Sequence, residues 1–116
     1  MIDPVELTRE LVRIPSPTGS EGPVVDFMAG RLEQLGYRVR RLAVTPGRDV
    51  IYAVAEEPLV VMSTHLDTVP PHLDLREDDE WLHGRGTCDA KGVAAAMVAA
   101  TDELRQMGEA RVALLF

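Results

Sequence analysis

The sequence predicts an α/β fold, a mixed β-sheet flanked by helices. Three observations predict it. Apolar residues near the N-terminus recur at helical spacing, then give way to short β-type runs. A continuous apolar run, Leu59-Val60-Val61-Met62, leads straight into polar residues. An Ala-rich helical stretch, 90–107, then separates that run from a last one, Ala110 to Phe116.

The elements follow in order. Asp3-Pro4-Val5-Glu6 reads as a helix start, with Asp as N-cap, Pro at the first helical position and Glu three residues after the cap. Leu7, Leu11 and Ile14 share a face, and Pro15 and Pro17 end the helix. Ser16-Pro17-Thr18-Gly19 reads as a loop. Ser20-Glu21-Gly22-Pro23 opens a second helix with an apolar stripe of Val24, Met28, Leu32 and Leu35, capped by Gly36. Tyr37–Val44 and Val50–Ala55 read as two strands joined through Thr45-Pro46-Gly47-Arg48. Leu59 to Met62 reads as a strand buried on both faces. A small hairpin follows Pro70-Pro71, turning at Asp78-Asp79-Glu80. The stretch 90–107 reads as a buried helix whose alanines pack closely against the sheet. Ala110 to Phe116 reads as a core strand that asks for neighbours on both sides. Its position at the end of the chain suggests a piece of a larger domain.

Bulk properties exclude some classes. The 116 residues carry 12 Lys and Arg against 19 Asp and Glu, a net charge of −7, with no basic run to suggest nucleic acid or an anionic membrane. No apolar run approaches the roughly 20 residues that a bilayer span needs. The N-terminus lacks a signal-peptide layout, and Cys88 is the one cysteine, so no internal disulfide forms; both favour a cytoplasmic location.

Two segments carry candidate chemistry. In Ser63-Thr64-His65-Leu66-Asp67, His65 and Asp67 follow a strand directly, and the carboxyl ends of sheet strands are where α/β folds place ligands. Residues two apart in extended chain point the same way, so the Asp67 carboxylate can reach the His65 ring. A carboxylate there fixes the tautomer of a metal-bound imidazole. By itself His-x-Asp is common, and a core histidine explains it as well. In Gly84-Arg85-Gly86-Thr87-Cys88-Asp89-Ala90-Lys91-Gly92, Asp89 follows a glycine-rich turn and precedes a helix. It is either an N-cap or a carboxylate free to bridge two cations.

The pair of motifs at this spacing resembles the dizinc amidohydrolase and peptidase family that includes acetylornithine deacetylase, succinyl-diaminopimelate desuccinylase, aminoacylase and the carboxypeptidase G type. The resemblance runs over the whole chain. It implies that His65 is a ligand of one metal, that Asp89 bridges both, and that Asp67 orients His65 and is usually counted as catalytic. It implies two divalent ions, zinc or alternatively cobalt, and a cis peptide at Asp89-Ala90. It implies amide hydrolysis by an activated water, with N-acyl amino acids or small peptides as substrates and a homodimer as one possible assembly. It places a Glu-Glu pair, general base then ligand, after Phe116, with further ligands and a lid or dimerisation domain beyond. On that basis residues 1–116 are expected to be the N-terminal fragment of a metallohydrolase catalytic domain, and inert in isolation. The alternative is a non-catalytic binding or assembly module of the same fold. A nucleotide-binding domain fits poorly, because Gly84-Arg85-Gly86 lacks the third glycine.

The remaining residues read as supporting. Lys91 is structural, Arg85 supports the turn, and Trp81 packs the hairpin. Cys88 is a small packed side chain, and His72 and His83 belong to the loop and hairpin.

Overall fold

A computed structural model describes residues 1–116. The elements are α1 (Pro4–Val12), α2 (Gly22–Gln34), β1 (Arg38–Thr45), β2 (Arg48–Val54), β3 (Val60–Ser63), β4 (Arg76–Glu77), β5 (Leu82–His83), α3 (Lys91–Gln106) and β6 (Val112–Leu115). Four strands form one sheet in the order β1-β2-β6-β3, and β4 and β5 pair as a separate hairpin. β1 and β2, and β2 and β6, run antiparallel, whereas β6 and β3 run parallel. The α/β class with a mixed sheet is therefore as the patterning predicts.

The capping chemistry of α1 follows from its sequence. The Asp3 carboxylate accepts a hydrogen bond from the Val5 amide at 2.8 Å, and Pro4 takes a position whose N–H would have no helical partner. Glu6 does not close a capping box; it pairs instead with Arg9 one turn on. Gly36 ends α2 at φ +93°, a conformation cheap only without a Cβ. Leu7 and Leu11 from α1, Val24, Met28 and Leu32 from α2, and Val98 from α3 meet Ile51 and Leu114 from the sheet in one core.

Two expectations need correcting. β3 is not buried on both faces: Leu59 is 73% exposed and Val60 53%. Its one sheet neighbour is β6, so one edge is open, and hydropathy reports what a strand can bury rather than which neighbours it has. The strand with partners on both sides is β6, where Ala113 and Leu114 are fully buried, as its sequence predicts. Nor is α3 buried all round. Ala94, Ala95 and Val98 face inward while Ala96 and Ala100 are exposed. The helix packs chiefly against α1 and only secondarily on β6.

No helix is long and apolar enough to cross a membrane.

Candidate metal centre

The site is built where β3 ends. β3 runs parallel to β6, with Ser63 beside Leu115, so His65 emerges at the carboxyl edge of both strands. Asp89 arrives there from the turn before α3. His65 Nε2 lies 2.9 Å from Asp89 Oδ1, so residues 24 apart in sequence converge on one point. On its other side, His65 Nδ1 lies 2.9 Å from the Asp67 backbone oxygen and 3.1 Å from Asp67 Oδ1. Burial of the ring works against its charge. The hydrogen bonds to the Asp67 carbonyl and to Asp89, with the charge of both carboxylates, outweigh it and raise the imidazole above its usual range.

Asp89 is not an N-cap. The cap position of α3 is Ala90, no side chain caps the helix, and the Asp89 side chain is 81% exposed. The Asp89-Ala90 peptide is cis, as the resemblance implies, and Pro70-Pro71 is cis as well. Asp89 Oδ2 makes no hydrogen bond within the chain and is free to serve a second cation. The donor types suit a divalent ion: an imidazole nitrogen and a carboxylate oxygen lie within reach of one point. No cluster of three or more His, Cys, Asp or Glu is present, so these two donors are only part of a coordination shell.

The rest of the motif forms a floor beneath this edge. A Cβ on Gly92 would sit 2.1 Å from the Thr87 carbonyl oxygen, and the Gly92 amide donates to the Gly86 carbonyl at 3.2 Å. Gly86 adopts φ +97° with the Lys91 side chain against it. Lys91 is fully buried and its Nζ donates to the Ile14 carbonyl at 2.6 Å, tying the start of α3 to the end of α1. Burial pushes its ammonium down to about 8. Arg85 supports the turn by donating to the Pro71 carbonyl at 3.0 Å. Other minor expectations fare unevenly. His83 binds Asp78 within the hairpin, and His72 approaches Asp74. Cys88 is exposed rather than packed, and Trp81 stays largely in solvent because the two-residue strands offer it little surface.

The sequence reading missed the loop that grips Asp67. The Ser16 hydroxyl donates to the Leu66 carbonyl at 2.8 Å, the Thr68 amide to the Ser16 carbonyl, and the Thr18 amide to the Thr68 carbonyl. The Thr18 hydroxyl donates to Asp67 Oδ2 at 2.6 Å. A run of Ser, Pro, Thr and Gly reports only a loop, and nothing in it names a partner 49 residues away.

Comparison with known proteins fits this geometry. Residues 61–116, which hold both motifs, match the model of peptidase family M20/M25/M40. Over these residues the chain is similar to this family. A peptidase M20 domain-containing protein of Schizosaccharomyces pombe is 38% identical over 97% of this chain and 30% of its own length. A succinyl-diaminopimelate desuccinylase of Rhizorhabdus wittichii is 34% identical over 90% of this chain and 31% of its own length. A tripeptidase from Staphylococcus aureus superposes on the whole chain with a TM-score of 0.79 at 22% identity, covering 36% of that structure, and shows the same fold. The chain spans about three-tenths of the length of the M20 relatives it matches.

Proposed function

We propose that this chain is the N-terminal part of the catalytic domain of a two-metal amide hydrolase acting on N-acyl amino acids or small peptides, with acetylornithine deacetylase-like deacylation as the specific reading. The observation that carries it is the approach of His65 Nε2 to Asp89 Oδ1 at 2.9 Å inside the segment matched to the M20 family. A desuccinylase among the relatives supports an acyl amide as the bond cut.

In this reading His65 and Asp89 would hold the metal, His65 through Nε2 and Asp89 through its carboxylate. Asp67 holds the outer nitrogen of His65, fixing the ring and keeping Nε2 directed at the ion. Bound divalent ions, zinc or cobalt, would polarise the amide carbonyl and lower the pKa of a bound water from about 15.7 toward about 7. The general base and the other ligands come from outside these residues, so residues 1–116 alone bind metal weakly and do not hydrolyse amides. The full-length protein is read as a cytoplasmic homodimer, which sedimentation of that protein tests.

Full-length protein assayed on N-acetylornithine, an N-succinyl amino acid and a tripeptide, before and after chelation, tests the proposal. Activity on at least one amide is expected, lost on chelation and restored by zinc or cobalt. Amide hydrolysis that survives chelation, or that persists in Asp89→Asn, would sink it.

A further inference from the structure

We propose that Thr18 is a positioning residue of the site, holding the Asp67 carboxylate in the plane that lets its other oxygen serve His65. The inference rests on the reading of His65 as a metal ligand but is testable apart from it.

A carboxylate turns easily about its last side-chain torsion, because that torsion is broad rather than staggered. For Asp67 to direct Oδ1 at the His65 ring, Oδ2 must be held elsewhere. Thr18 Oγ1 donates to Oδ2 at 2.6 Å, while Oδ1 lies 3.1 Å from His65 Nδ1, beside the Asp67 carbonyl oxygen at 2.9 Å, so the carboxylate shares that nitrogen with its own backbone. The two oxygens therefore have separate tasks, and the line runs from Thr18 through Asp67 and His65 to Asp89. Thr18 is itself fixed. Its amide donates to the Thr68 carbonyl at 3.1 Å, and the Thr68 amide donates to the Ser16 carbonyl at 2.8 Å, so the segments 16–18 and 66–68 are bonded on both sides of Asp67.

The exposure of Thr18 strengthens the case. A buried hydroxyl needs a protein partner to avoid a desolvation cost, whereas an exposed one is satisfied by water. Folding gains little from this bond, so its value lies in where it holds the carboxylate. Arg48 faces Asp67 as well, but its guanidinium is engaged by Glu21 at 2.9 and 3.2 Å. That leaves the threonine as the side chain that touches Oδ2.

The experiment compares Thr18→Val, which keeps the shape and removes the donor, with Thr18→Ser, which keeps the donor. In the metal-free protein, ring ¹⁵N shifts of His65 are read at a pH where the imidazole is neutral. Thr18→Val should shift the balance of ring tautomers away from Nδ1–H and toward Nε2–H, and Thr18→Ser should not. Because that readout concerns proton placement, a general loss of stability would not produce it. Zinc titration of the full-length protein should show binding weakened about tenfold in the valine variant and restored in the serine variant, as for other residues behind a ligand. An unchanged tautomer in Thr18→Val overturns the proposal. Wild-type protein that binds no zinc would overturn the metal reading instead, and the tautomer measurement would still decide the role of Thr18.

Discussion

Lys91 and Asp89 stand two residues apart in one motif, yet they belong to different regions of the molecule. Lys91 is fully buried, with its amine on the Ile14 carbonyl and its stem against Gly86. Asp89 has a side chain four-fifths exposed, and its carboxylate pairs with His65. The first region is a floor that locks α3 to α1 and fixes where the turn ends. The second is the exposed edge where we propose the metal binds. One sequence signature thus encodes two kinds of constraint, and substitutions should separate them, the floor through stability and the edge through metal binding.

The largest effect is expected at Gly92. With 2.1 Å between a new Cβ and the Thr87 oxygen, Gly92→Ala must displace the turn or the helix, at a cost of about 3 kcal/mol. Urea denaturation should show it, and a loss below 1 kcal/mol would mean the floor is softer than its packing implies.

Lys91→Ala comes next. It removes a buried stem and leaves the Ile14 carbonyl without its donor, together about 2 kcal/mol. Lys91 is also the sole lysine of the chain, which makes its linkage to pH readable. Its folded pKa of about 8 lies below the ordinary lysine value, so between these pH values the unfolded chain holds more protons. Stability should therefore rise as pH rises from 8 toward 10. Above 10 the buried Tyr37 hydroxyl, whose pKa burial raises, contributes in the opposite sense. Denaturation midpoints that rise over pH 8–10 in the wild type but not in Lys91→Ala would establish the link; a flat wild-type profile would refute it.

Ser16 sits on the seam between floor and edge. Ser16→Ala should cost about 1 kcal/mol for the lost bond to Leu66, while the loop keeps its backbone pairing to Thr68. A loss several times larger would place Ser16 in the floor.

Asp89→Asn should change stability least, within about 0.5 kcal/mol, because the side chain is exposed. The same change should abolish zinc binding by the full-length protein in calorimetry. Unaltered binding would break the contrast between the regions.

Much of the fold was legible because it rests on local rules. Asp3-Pro4 starts α1 through a side-chain acceptor and a missing N–H, and Gly36 ends α2 through its left-handed backbone. The β1–β2 hairpin and the apolar face of α2 show directly in residue period. The error at β3 has a different origin: Leu59 to Met62 looks like a central strand, and only sheet order reveals its open edge.

By itself the sequence determined the elements, the mixed α/β class and which short segments could carry metal chemistry, since each depends on residues near one another in the chain. Only the tertiary structure decided that His65 meets Asp89 rather than a core partner and that Asp89 leaves the helix end uncapped. It also showed that Thr18 reaches Asp67. These are contacts between segments brought together by the pairing of β3 with β6 and by the loop beside it, and no local pattern records which side chains such pairing makes neighbours.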